Sequence, residues 1–319
     1  MRFAIIGAGM AGILAAIKLR EAGHTNITIY EKASRIGGTW RENRYPGLTC
    51  DVPSQMYQFG FAPKPDWSRV WATGPEIQRY HRDVVDRLGL AAKIQCNTEV
   101  LAAEYDEAED GTGTWTLTLS TGATMVADFV LCATGVLENP AIPDIPGLAE
   151  FDGPVVHTAR WDDSLVTTGK KIAVIGTGSS GIQSIPLIAQ QAAQLTVFQR
   201  TPNYSIPAGN GPVAAERKAP LEADRDAYRL AAKWSRAGVP STPTQVYGRY
   251  STPEVQAERF EAAWQTGELI PILGVFADQI LFPDSNAIVA EMVREKIRAV
   301  VNDPQTAERL CPRDHAFGT

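Results

Sequence analysis

The same order of hydrophobic and polar positions occurs twice along this chain. Phe3-Ala4-Ile5-Ile6 is a short continuous apolar run, the pattern of a strand buried on both faces of a parallel sheet. A glycine-rich turn follows at residues 7–12, residues 13–20 continue at helical spacing, and Ile27-Thr28-Ile29-Tyr30 reads as the next strand. Lys171-Ile172-Ala173-Val174-Ile175 opens the second copy. Its turn spans 176–181, its helix carries Ile182, Ile185, Ile188 and Ala189, and its next strand is Leu195-Thr196-Val197-Phe198. Between the copies, residues 41–57 show no sustained period and read as a loop packed on something. A helix is predicted over 74–90, with Pro75 at a favoured early position. Strands at 98–103, 114–119, 124–126 and 129–131, with turns at Gly111 and Gly122, predict a β-meander inserted in the first copy. Pro140, Pro143 and Pro146 stiffen the passage that follows. Beyond residue 209 the pattern turns helical, over 216–234, 253–266, 286–301 and 304–310, several starts lying after Ser, Thr, Asp or Asn.

The two turns carry chemistry. In Gly7-Ala8-Gly9-Met10-Ala11-Gly12, the first glycine permits the tight turn and the second lets backbone approach a pyrophosphate. The third lets helix and strand pack closely, and the helix N-terminus offers free N–H groups and partial positive charge. Glu31 ends the next strand 19 residues beyond Gly12, where an acid accepts hydrogen bonds from an adenosine ribose. A glycine turn in an unrelated α/β protein is the alternative; strand, helix and acid at these distances argue against it. In the second copy, Gly176-Thr177-Gly178-Ser179-Ser180-Gly181 precedes a strand ending in Gln199-Arg200-Thr201. Arg200 stands 19 residues after Gly181, as Glu31 does after Gly12. An arginine there removes repulsion against a 2′-phosphate and offers it a planar cationic fork, so this loop reads as an NADPH site. Thr177, Gly178, Ser179, Ser180, Gly181, Gln183, Arg200 and Thr201 are its candidate ligands. The fold class is therefore α/β, with two Rossmann-like dinucleotide-binding domains and a helical insertion.

Composition narrows little more. The net charge of −6 argues against nucleic acid as a partner, since phosphate backbones bind basic surfaces. Cys50, Cys96, Cys132 and Cys311 lack metal-ligand spacing and read as reduced thiols, and no metal site is expected. No apolar run approaches the roughly 20 residues that cross a bilayer, and Met1-Arg2-Phe3 runs straight into a strand without signal-peptide layout. The expectation is a cytoplasmic protein that engages no membrane. Asp51 stands among apolar neighbours; if buried it must be hydrogen-bonded or paired, but capping of a turn fits its spacing equally well.

Residues 151–162, Phe-Asp-Gly-Pro-Val-Val-His-Thr-Ala-Arg-Trp-Asp, lie between the two loops with Phe151, Gly153, His157, Trp161 and Asp162 at fixed intervals. Together with Gly38-Thr39-Trp40, Tyr45-Pro46-Gly47, Cys50-Asp51 and Gln199-Arg200-Thr201-Pro202, this run resembles the fingerprint of Baeyer–Villiger monooxygenases, within the class B flavoprotein monooxygenases. The resemblance implies FAD in the first loop, with Gly7, Gly9, Ala11, Gly12, Glu31, Lys32, Gly38, Thr39, Trp40, Asp51, Tyr57 and Val100 as ligands, and NADPH in the second. It implies a reduced flavin that meets O2 to form a C4a-peroxyflavin, which attacks a ketone to give an ester or lactone. Asp51 would be the active-site acid, and His157 and Trp161 would couple domain movement to turnover. Relatives acting on nitrogen or sulfur usually carry Phe or Tyr at the position of Trp161, so N- or S-oxygenation is the alternative. Thr49 stands where relatives often have Arg, which puts some NADPH contacts in doubt. The implied domains are 1–140 for FAD, 141–208 for the start of the NADPH domain and 209–319 for the helical insertion. The family continues past a run such as Phe317-Gly318-Thr319 with Lys-Arg, so a truncated chain, and even an inactive nucleotide-binding fragment, is expected; a monomer or weak homodimer completes the picture.

Overall fold

The computed structural model of the chain describes every residue except 108, 110, 111, 236, 237, 239, 241, 242 and 319, so the turn expected at Gly111 lies outside the described residues. Two compact units form, the first from Met1–Cys50 with Ala72–Leu165, the second from Asp51–Trp71 with the chain from Val166 onward.

In the first unit, β1 (Phe3–Ile6), α1 (Met10–Glu21) and β2 (Ile27–Tyr30) make a parallel crossover, with Ile5 opposite Ile29. The continuous apolar run is required because both faces of β1 are covered, and Ile5, Ile13, Ile17 and Ile29 are all buried. Each such side chain contributes about 2 kcal/mol of transfer free energy. The loop after Gly38 contains a short helix, α2 (Thr39–Glu42), which the aperiodic sequence does not announce. Helix α3 (Gly74–Arg87) buries Ile77, Tyr80, His81, Val84 and Val85, a single stripe at helical spacing. A short strand, β3 (Ile94–Gln95), extends the sheet beside β2.

β4 (Val100–Glu107), β5 (Gly113–Leu119) and β6 (Thr124–Ala127) pair antiparallel, as a meander requires. The fourth of the predicted strands, β7 (Phe129–Cys132), leaves the meander and pairs parallel with β1, giving the order β3-β2-β1-β7. Asp128 fixes that return: its carboxylate accepts from the Arg2 backbone N–H at 2.6 Å and from the Arg2 guanidinium at 2.6 and 3.1 Å.

In the second unit, β8 (Lys171–Ile175), α4 (Ser179–Ala189) and β9 (Gln194–Phe198) repeat the crossover with two parallel strands. Ile175, Val197 and Phe198 remain exposed. The single helix expected over 216–234 is two, α5 (Ala215–Ala223) and α6 (Arg225–Lys233). Asp224 between them adopts an extended backbone and accepts the Ala227 N–H at 2.9 Å, so its capping preference outweighs continued periodicity. Then come α7 (Pro253–Trp264), α8 (Leu269–Leu273), α9 (Pro283–Val300) and α10 (Pro304–Leu310). Asp303 caps α10 by accepting the Thr306 N–H at 2.8 Å. These helices close on a core of Phe260, Ile272, Val275, Phe276, Val289, Val293 and Phe317. Residues 51–71 are held to this unit at Asn210, whose amide receives the Trp71 N–H and donates to the Trp71 carbonyl, both at 3.2 Å.

Candidate functional site

The first glycine loop is closed by its own glycines and by distant backbone. Gly7 has φ +103°, and a Cβ there would lie 2.6 Å from the Ala133 carbonyl oxygen. That carbonyl follows β7 directly, so the chain leaving β7 forms one wall of the turn. A Cβ on Gly12 would overlap the Gly7 carbonyl oxygen, so only glycine lets α1 start this close to β1. The first α1 hydrogen bond runs from Ile13 N–H to the Gly9 carbonyl, which leaves the N–H groups of Met10, Ala11 and Gly12 without helical partners. Gly38 backs the loop, its own ideal Cβ position lying 3.0 Å from the Gly9 Cα.

Glu31 is 7% exposed and its carboxylate is held at both ends. One oxygen accepts the Ala8 N–H at 2.8 Å and the other the Ala33 N–H at 2.9 Å. A carboxylate has about four acceptor sites, so each oxygen keeps room for a further donor such as a ribose hydroxyl. The acid thus ties β2 to the turn and presents acceptors beside it. Lys32 pairs with Glu138 at 3.1 Å. Thr39 is exposed and Trp40 half-buried at the start of α2, and Val100 is half-buried at an irregular point where β4 meets β5. Of the expected FAD ligands, Gly7, Gly9, Gly12, Glu31 and Gly38 come together here. Asp51 and Tyr57 fall in the second unit, Asp51 exposed at its first residue and Tyr57 half-buried. The premise of a buried Asp51 does not hold in this structure. Thr49 bridges Thr73 across an antiparallel pair.

A cavity of about 460 Å³ in the first unit is lined by Arg35, Trp40, Arg41, Thr49, Thr73 and Gln78 among others. Among the described residues, Arg41 Nε and Gln78 Nε2 are buried there without a hydrogen-bond partner, and burial lowers the Arg41 pKa against the pull of Glu31 and Glu138. Sequence pattern gave no signal for Arg41, because a lone cation in an aperiodic loop has no period to reveal it.

The run 151–162 belongs to the first unit. Phe151 is 62% exposed, and its ring lies over Gly153, where a Cβ would stand 2.5 Å from it. His157 Nδ1 accepts the Ala159 N–H at 3.1 Å, which caps a turn over Thr158–Arg160 and leaves the ring proton on Nε2. Asp162 accepts the Ser164 N–H at 2.8 Å and hydroxyl at 2.7 Å, and these bonds lower its carboxyl pKa. Trp161 is half-buried, and its carbonyl accepts from the Arg44 guanidinium at 3.2 Å.

The second loop repeats the first in backbone. Gly176 has φ +102°, and a Cβ on Gly181 would lie 2.5 Å from the Gly176 carbonyl oxygen. The first α4 bond runs from Ile182 N–H to the Gly178 carbonyl, leaving Ser179, Ser180 and Gly181 N–H groups at the turn without helical partners. The Thr177 hydroxyl donates to Gln199 Oε1 at 3.3 Å, and Gln199 Nε2 donates to the Arg309 carbonyl at 2.9 Å. Arg200 is exposed, while Gln183 and Thr201 are half-buried. The loop can offer N–H groups to a pyrophosphate and a guanidinium beside it.

Residues 4–209 match the family described as pyridine nucleotide-disulphide oxidoreductase. A phenazine N-monooxygenase of Lysobacter antibioticus is 37% identical over 97% of this chain and 58% of its own length. A Baeyer-Villiger monooxygenase of Pseudooceanicola batsensis is 34% identical over 97% of this chain and 57% of its own. A crystal structure of OTEMO in complex with FAD and NADP superposes with a TM-score of 0.91 at 34% identity, covering 100% of this chain and 61% of that one. The chain thus spans 57–58% of the length of these two curated relatives. With both glycine loops inside the matched span, the chain belongs to the pyridine nucleotide-disulphide oxidoreductase family.

Proposed function

We propose that the chain is the cofactor-binding part of an NADPH-consuming flavoprotein monooxygenase that inserts oxygen beside a ketone carbonyl. The observation that carries this reading is the run from Phe151 to Asp162 between two glycine loops, one followed by Glu31 and the other by Arg200. The likeness to a Baeyer-Villiger monooxygenase and to a structure holding FAD and NADP supports it.

The residues present fit FAD at the first loop. Gly9 leaves the space beside Gly38 that a side chain would take, and Glu31 keeps acceptor capacity for a ribose. Bound FAD would supply hydride acceptance and oxygen activation. Met10, Ala11 and Gly12 N–H groups would hold its pyrophosphate, and Glu31 its ribose, with Lys32, Thr39, Trp40 and Val100 as further contacts. At the second loop, Ser179, Ser180 and Gly181 N–H groups would hold the NADPH pyrophosphate and Arg200 its 2′-phosphate, with Thr177, Gly178, Gln183 and Thr201 beside them. Asp51 is assigned to orient an arginine and support its charge, and His157 and Trp161 to position the 151–162 run rather than to move protons. The domain limits 1–140, 141–208 and 209–319 belong to this proposal.

The likeness to a phenazine N-monooxygenase favours a second reading, oxygenation of an aromatic nitrogen. Product analysis separates the two. Purified protein with FAD, NADPH and O2 is given a cyclic ketone or an aromatic N-heterocycle. Lactone from the ketone supports the first reading, and N-oxide without lactone supports the second. Protein that binds neither cofactor overturns both.

A further inference from the structure

Two arginines tie the 151–162 run to other segments of the first unit, Arg44 from outside the run and Arg160 from within it. Arg44, two residues beyond the end of α2, donates to the Trp161 carbonyl at 3.2 Å and pairs with Asp163. Arg160, inside the run, donates to the Glu138 carbonyl at 3.0 Å. It also lies 3.7 Å from the Glu138 carboxylate and 3.6 Å from that of Glu42. Glu42 is shared with Arg41, and Glu138 with Lys32. The run is therefore tied by ion pairs to α2, which starts at Thr39 directly after Gly38, and Gly38 backs the first glycine loop at Gly9.

We infer that Arg44 and Arg160 are positioning residues, a two-arginine clasp that sets the register of residues 157–163 against the α2 turn. Through it, a dinucleotide pressed on Gly9 and Gly38 steadies the Trp161 segment as well. Two features make this more than incidental surface pairing. Both arginines add a bond to a backbone carbonyl, which fixes chain position and not only charge. The carboxylates that Arg160 meets come from two separate segments and already carry other cations. Isolated exposed ion pairs hold little, but a network with backbone anchors holds more. The coupling to a dinucleotide rests on the proposed FAD site; the clasp itself does not.

The test is hydrogen exchange of the Ala159, Arg160, Ser164 and Leu165 amides in the full 319-residue chain, with and without FAD. Their acceptors all lie within the run: His157 Nδ1 and carbonyl, and the Asp162 carboxylate and carbonyl. Arg44→Glu and Asp163→Arg should each speed exchange there by roughly fivefold, while amides of α9 stay unchanged. The charge-swapped pair Arg44→Asp with Asp163→Arg should recover most of the protection, and Arg44→Lys should recover part, because lysine pairs as a point charge without a fork. FAD should slow exchange in the run for the wild type and not for Arg44→Glu. Unchanged exchange in both single variants overturns the clasp. Equal slowing by FAD in wild type and Arg44→Glu overturns the coupling. If FAD does not bind, the FAD reading fails while the charge-swap comparison still decides the clasp.

Discussion

The two glycine loops share one backbone and differ in what surrounds it. Gly7 and Gly176 turn at φ +103° and +102°, and Gly12 and Gly181 each press against the first glycine's carbonyl. Around the first loop, Ala133 and Gly38 stand against the turn, and Glu31 is bonded into it. Around the second, a Cβ on Gly176 or Gly178 would meet nothing within 4 Å among the described residues, and the strand ends in an exposed Arg200. Glycine spacing thus encodes the turn, the residue ending the next strand differs between the two, Glu31 against Arg200, and the first loop's walls come from segments away in sequence.

Substitution of the third glycine should break the comparison most sharply. Gly12→Ala forces Cβ into the Gly7 carbonyl in a turn walled on the other side by Ala133, and should cost about 3 kcal/mol or more, read by denaturant unfolding. Gly178→Ala, with open space and an extended backbone, should stay within about 0.5 kcal/mol of wild type.

Acid should separate the units next. Burial lowers the His81 pKa from 6.5 to about 4, so the folded state resists a proton that the unfolded chain accepts. The stability tied to neutral His81 is intact above pH 6.5 and lost as pH falls toward 4, by about 3 kcal/mol at most. Exchange of α3 amides should rise over that window ahead of α9 amides, and His81→Leu should flatten the dependence.

Glu31→Gln keeps the shape, but its single amide oxygen can accept from only one of the Ala8 and Ala33 N–H groups, and its NH2 then faces the other donor. It should cost about 1–2 kcal/mol of stability by chemical denaturation, and weaken FAD binding as well. Arg200→Gln should leave melting unchanged, since the side chain is exposed, while weakening NADPH relative to NADH by about tenfold in a binding titration.

Much of this was legible in the chain. The runs at Phe3–Ile6 and Lys171–Ile175 gave both strands; burial on both faces explains the first, whereas the second keeps its apolar run although Ile175 is exposed. Pro75 at an early helical position pointed to α3, which buries the stripe through Ile77, Tyr80 and Val84. The break at Asp224 was not read, because an aspartate on a helical face and an aspartate cap look alike until the backbone is seen. The pairing of β7 with β1 and the segment 51–71 rest on long-range bonds, such as those of Asp128 with Arg2 and Asn210 with Trp71, that no local period records. At the site, glycines and strand ends were visible, whereas Arg41, Arg44 and Arg160 act through partners distant in sequence.

The most direct test of the claim that the first loop takes FAD is a fluorescence titration of FAD into wild type and Gly9→Ala. A Cβ at Gly9 meets only ordinary contact, 3.5 Å from the Gly38 Cα, so the variant should fold normally. The account predicts saturable FAD binding by wild type, weakened about tenfold or more in Gly9→Ala, because the methyl takes the space where backbone must approach the pyrophosphate. Equal affinity in the two proteins, or no binding by a folded wild type, would contradict it.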